Sequence, residues 1–137
     1  FLLGLGAFLL AHVAYVAAFV LRPWDAAWGL VALPAVAAAA LAAWRWLRPH
    51  VGGLRRPVAA YVHEISAMVG AALAATGGTG DLRIAVGAVA FYLSDLAVAR
   101  ERFVTSTPWN PTWGLPLYYG GQLLLASTVA LRATTPG

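Results

Sequence analysis

Five apolar runs dominate this 137-residue sequence, each close to the roughly 20 residues a helix needs to cross about 30 Å of hydrocarbon at 1.5 Å rise per residue. They fall at about residues 2–21 (α1), 27–47 (α2), 57–76 (α3), 83–99 (α4) and 114–131 (α5). Arg22-Pro23 stops the first, Pro34 interrupts the second, and the turn-rich Thr107-Pro108-Trp109-Asn110-Pro111 leads into the last. The expected architecture is all-α, a polytopic membrane bundle of about five transmembrane helices forming one domain. Phe1 already lies inside an apolar run, so the sequence is expected to be the C-terminal part of a longer bundle.

Composition argues the same way. The chain is 61% hydrophobic and 10% charged, with a mean hydropathy of +0.76, against the 45–50% apolar content usual for soluble domains. Its net charge of +4 comes from arginine alone, and the arginines sit in short loops instead of clustering on a polar face, so nucleic acid is not an expected partner. The lipid bilayer is. With no cysteine, thiol catalysis and Cys-based metal sites are excluded. Trp24, Trp28, Trp44, Trp46, Trp109 and Trp113 lie near helix ends, as an interfacial aromatic belt requires. Ala35, Ala39 and Ala43 offer a small-residue stripe for helix packing. Arg45, Arg48, Arg55, Arg56, Arg100 and Arg102 outnumber Arg22, Arg83 and Arg132 on the other side, which places the α2–α3 and α4–α5 loops in the cytoplasm of a bacterial-type membrane.

An ionisable side chain at bilayer depth costs about 3 kcal/mol on insertion scales, so it normally faces the bundle interior and has a task. The candidates are His12 and Tyr15 on α1, His63 and Glu64 on α3, Tyr92, Ser94 and Asp95 on α4, and Tyr118, Tyr119 and Gln122 on α5. Spacings of three or four put His12 with Tyr15, Tyr92 with Asp95, and Tyr118 with Gln122 on common faces. His12, Glu64, Asp95 and Gln122 all lie roughly 6–16 Å from the cytoplasmic helix ends, which points to one shared cavity. Structural readings stand beside these. The tyrosines can be packing aromatics, Ser94 can bond a carbonyl one turn back, Glu64 can pair with Arg55 or Arg56, and Asp95 with Arg100 or Arg102. His63-Glu64-Ile65-Ser66-Ala67 starts like a zinc-binding H-E-x-x-H and ends in alanine. No G-x-S-x-G elbow or phosphate-binding glycine loop is present, and neither metal nor cofactor is expected.

The stretch from Gly87 to Phe103 resembles the G-A-x-x-F-x-x-S-D-x-x-x-A-x-x-R-F signature of the YhhN-like lysoplasmalogenases. Phe8 to Tyr15 is similar to that family's F-x-x-A-H-x-x-Y, Tyr61 to Met68 to its Y-x-x-x-x-x-x-M, and Tyr118 to Gln122 to its Y-Y-x-x-Q. The resemblance implies an integral membrane hydrolase that splits the vinyl ether of a lysophospholipid substrate into a fatty aldehyde and a glycerophospho-base. It also implies further helices before α1, one with a Gly-Asp that pairs in motif terms with Ser94-Asp95.

A vinyl ether resists base and yields to acid. Protonation at the β-carbon gives an oxocarbenium ion, water adds, and the hemiacetal collapses. Near neutral pH this needs a carboxyl kept protonated by a dry site, together with a carboxylate that stabilises the cation and activates water. Asp95 is the expected catalytic carboxyl, with its partner on the preceding Gly-Asp helix that the resemblance implies or, failing that, Glu64 within this chain. His12, Tyr15, Ser94, Tyr118, Tyr119 and Gln122 are expected to bind substrate or position water, and the cytoplasmic arginines to draw the lipid phosphate. The rival expectation is a transporter or structural subunit whose buried carboxylate holds a proton or ion.

Overall fold

A computed structural model describes residues 2–133, with side chains through residue 129. It is an all-α, polytopic bundle of five long helices: α1 Leu2–Val20, α2 Ala26–Leu47, α3 Arg55–Thr79, α4 Leu82–Ala99 and α5 Trp109–Ala133. Short 3-10 turns join α2 to α3, and a π-helical turn, Arg100–Val104, extends α4. Among the described residues there is no strand.

The helix ends follow from local chemistry. Asp25 caps α2 by accepting from the backbone N–H of Ala27 at 2.7 Å and of Trp28 at 3.3 Å, and Asp81 caps α4 through the N–H of Arg83 at 3.1 Å. Gly80 ends α3 at φ +71°, a left-handed conformation that costs glycine nothing. Several ends differ from the sequence expectation, most of all in α3 and α5. Helices α3 and α5 begin earlier, at Arg55 and Trp109, because Pro57 and Pro111 fall in first turns, where no backbone donor is needed. Helix α3 also runs on to Thr79, past Gly77 and Gly78.

Helices α1, α2, α3 and α4 are long and apolar enough to cross a membrane. Half of the α3 and α4 spans is buried, but only 11% of α1 and 6% of α2, so Leu3, Leu10, Leu30 and Val31 face outward. That much exposed hydrocarbon suits lipid, not water. Helix α5 is as long as α3 and carries Tyr118, Tyr119, Gln122, Ser127 and Thr128 along it. It lies mainly against α4.

Helix α3 is central and packs on α1, α2 and α4. Of the alanines singled out on α2, only Ala43 is buried, while Ala35 and Ala39 face outward. The stripe turned inward is Gly29, Ala32, Val36, Ala40, Ala43 and Leu47, which includes the bulkier Val36 and Leu47. Backbones also come close between α4 and α5. A Cβ on Gly121 would stand 2.8 Å from the Gly87 carbonyl, and one on Gly87 would stand 2.9 Å from Leu125 Cγ, so this seam accepts only glycine.

The interior has two layers. One, at the arginine-rich end, gathers Leu47, Val51, Val58, Tyr61, Ile65 and Tyr92, and the other gathers Phe19, Met68, Ala72, Ile84, Phe91 and Leu125. Helix α1 approaches α3 closely, but it reaches α4 and α5 through long side chains rather than backbone contact. Those side chains make the polar centre.

Candidate active site

His12 and Asp95 are buried to 0% and 1% exposure, yet both are polar. His12 Nε2 lies 3.1 Å from Asp95 Oδ2, and His12 Nδ1 lies 2.9 Å from the Phe8 carbonyl one turn earlier on α1. A carbonyl only accepts, so Nδ1 carries a hydrogen. The contact between Nε2 and Oδ2 therefore holds one proton. It belongs to Asp95 when the imidazole is neutral and to His12 when the pair is ionised. In a low-dielectric interior these two arrangements exchange a proton between partners that are already in place.

A second bond ties α1 to the bundle one turn further along, where the Tyr15 hydroxyl donates to Gln122 Oε1 on α5. A third comes from α3, where the Tyr61 hydroxyl donates to the backbone carbonyl of Asp95 at 2.9 Å. Aromatic rings close around the pair. Phe91 is the hub, with centroids 5.2 Å from His12, 5.7 Å from Tyr15, 5.5 Å from Tyr118 and 6.3 Å from Phe8. Phe8 also stacks on His12 at 4.5 Å and lies 5.7 Å from Tyr61. The rings exclude water and strengthen each electrostatic term inside.

A cavity of about 660 Å³ leads to this pair. Its buried lining includes Ser94, Asp95 and Gly114, with Phe8 and Tyr118 beside them, Val98 and Leu115 are exposed, and the exposed Arg102 and Pro111, next to Glu101 and Asn110, mark its mouth. Asp95, Val98 and Arg102 follow helical spacings of three and four, which is why one face of α4 runs from floor to mouth. A smaller apolar cavity of about 260 Å³, lined by Gly4, Leu5, Val58, Tyr61 and Ala99, shares Phe8, Val98 and Arg102 with the first.

The mouth is a fixed structure. Asn110 is 1% exposed and donates to Glu101 Oε2 at 2.5 Å and to the Thr105 carbonyl at 2.7 Å, while Arg100 donates to its Oδ1. Glu101 further accepts from the Ser106 hydroxyl and from the Thr107 N–H at 3.0 Å. This network holds the link between α4 and α5. Sequence reading missed Asn110 and Glu101 as organisers of the site. The only hint was an asparagine between two prolines, which reads as an ordinary turn residue.

The remaining candidates separate. His12, Asp95, Tyr15, Gln122 and Tyr118 come together. Ser94 lines the cavity, but its hydroxyl donates to the Phe91 carbonyl at 2.6 Å, the local bond weighed for it above. Tyr119 turns outward, 61% exposed, with its ring edge-on to Tyr118. Glu64 is half-buried on α3, outside the cavity lining and within electrostatic range of His12. Among the described residues it forms no ion pair with Arg55 or Arg56, and Asp95 pairs with His12 instead of Arg100 or Arg102. Nor do three His, Asp or Glu side chains gather at one point among the described residues.

Residues 1–129 match the YhhN family. Two proteins named lysoplasmalogenase, from Mycobacterium bovis and Mycobacterium tuberculosis, are each 37% identical to this chain, covering 87% of it and 46% of the relative. The chain thus spans about half the length of these curated relatives. No solved structure matches it.

Proposed function

Because this chain belongs to the YhhN family, we propose that it acts as an integral membrane hydrolase cleaving the vinyl ether of lysoplasmalogens, with Asp95 and His12 handling the proton. The carrying observation is the one-proton pair of His12 and Asp95, of which Asp95 lines a largely apolar cavity. The names of the two mycobacterial relatives support the substrate class.

The chemistry uses what the pair holds. Asp95 gives the proton to the β-carbon of the vinyl ether, whose π electrons form the new C–H bond and leave an oxocarbenium ion. The Asp95 carboxylate then faces the cation, and removal of water by the surrounding rings makes that attraction strong. Water adds to the cationic carbon and returns a proton to the pair. In the collapse of the hemiacetal the hydroxyl loses its proton, the bond to the glycerol oxygen breaks, and that oxygen is protonated. One water is consumed, and the pair ends as it began.

His12 holds the orientation of Asp95 and shares its proton, Phe8 fixes the His12 tautomer, Tyr118 lines the space above, and the Tyr15–Gln122 bond ties α1 to α5. Ser94 forms part of the wall, and Glu64, half-buried on α3 outside the cavity lining, is given no chemical step. The cavity mouth lies at the arginine-rich end of the bundle, which we take as cytoplasmic.

The test is product identification. Full-length protein incubated with a mixed lysolipid pool in heavy water is expected to release fatty aldehyde carrying one deuterium at C2, and only from 1-alkenyl lipids. Aldehyde without that deuterium removes the β-carbon protonation step, and fatty acid or no product at all removes the reading.

A further inference from the structure

Six arginines sit at the end of the bundle where the cavity opens, and the structure separates them. Arg45, Arg48, Arg55, Arg56 and Arg100 line neither cavity. Arg102 lines both the 660 Å³ and the 260 Å³ cavities, at the point where they meet. No other charged side chain among the described residues does so.

We infer that Arg102 is the anion subsite of this cavity, and that it holds the phosphate of a single-chain phospholipid while the ether bond lies at Asp95. The inference rests on the proposed hydrolase reading. Arg102 stands seven residues beyond Asp95 on the same face of α4 and its π turn, about 10 Å along the axis at 1.5 Å per residue. A glycerol backbone and an extended arginine side chain bridge that distance. A guanidinium presents a planar fork of donors to phosphate oxygens, and its weak hydration lets it bind them beside apolar walls such as Val98 and Leu115.

The test compares lysoplasmenylethanolamine with 1-alkenylglycerol, which has the same vinyl ether and no phosphate, on the full-length protein and on Arg102→Gln and Arg102→Lys. Wild-type protein is expected to favour the phospholipid by at least about tenfold in kcat/KM, mainly through KM. Arg102→Gln is expected to narrow that advantage to below about threefold, and Arg102→Lys to recover part of it as a point charge. An unchanged ratio in Arg102→Gln overturns the inference. Binding of a saturated 1-O-alkyl lysophospholipid, which cannot be cleaved, is measured in parallel. Arg102-dependent binding supports the subsite even if no aldehyde forms, whereas binding indifferent to Arg102 overturns it. Inorganic phosphate is added as competitor. Displacement shows that the anion alone suffices, and Arg102-dependent lipid binding without displacement assigns the site to the lipid headgroup.

Discussion

His12 Nε2 and Asp95 Oδ2, 83 residues apart in sequence, meet at 3.1 Å in the buried interior of the bundle. Each makes the other tolerable there. A buried carboxyl without a partner leaves unsatisfied acceptors or an unpaired charge, and a buried imidazole without an acceptor or donor at Nε2 is similarly penalised. The pair therefore couples α1 to α4 energetically as well as supplying the proposed proton.

His12→Ala is expected to destabilise the protein by about 1–3 kcal/mol, because Asp95 is left buried with no partner. The double variant with Asp95→Ala should be destabilised by less than the sum of the two single changes. Thermal unfolding in one detergent across the four proteins measures this, and strict additivity would mean the two side chains are not coupled.

Gly121→Ala is expected to weaken the bundle by about 1–3 kcal/mol, since its Cβ would press on the Gly87 carbonyl at 2.8 Å. Gly120→Ala, one residue earlier, meets nothing within 4 Å and should be neutral or stabilising by about 0.5–1 kcal/mol through backbone entropy. The sign difference between adjacent glycines is read from two melting curves.

Asn110→Ala removes the bonds to Glu101, Thr105 and Arg100 together. Loosening of the α4–α5 link is expected, with faster hydrogen exchange at Thr105 and Thr107 and a higher KM for the lysolipid. Exchange and KM both at wild-type values would mean that the mouth does not depend on this side chain.

Asp81 gives a pH signature outside the membrane-spanning helices. Its hydrogen bonds from the Arg83 side chain hold its carboxyl below the usual carboxylate range. A depressed folded value means the stabilisation is fully present above the unfolded value near 4 and is lost as pH falls through the folded one. Acid titration of stability below about pH 4 should flatten in Asp81→Asn, and an unchanged titration would assign the acid sensitivity elsewhere.

Much of this was legible in the chain. Apolar runs of span length gave five helices and their order, because burial in hydrocarbon demands continuous apolar sequence. The polar faces of α1, α4 and α5 were legible through spacings of three and four. Partners were not, since periodicity says which residues share a face and not which helix that face meets. On charge alone, Asp95 looked suited to Arg100 or Arg102, and only the packing of α1 across α4 brings His12 to it. Tyr118 and Tyr119 were both expected at the site, but the 100° between neighbours on a helix sends Tyr119 outward and Tyr118 to the cavity. On α2, the alanine spacing pointed to a stripe that the bulk of Val36 and Leu47 moved round the helix.

The most direct test of the proton-handling claim is the rate of fatty aldehyde release from lysoplasmenylethanolamine by full-length Asp95→Asn beside the wild type. Asparagine keeps the shape and can still donate to His12, so folding should be retained while the transferable proton is lost. Positioned acid–base groups contribute about 10²- to 10⁴-fold, so the variant is expected to be at least about 100-fold slower at an unchanged melting temperature. A folded Asp95→Asn protein that releases aldehyde at close to the wild-type rate would contradict the account.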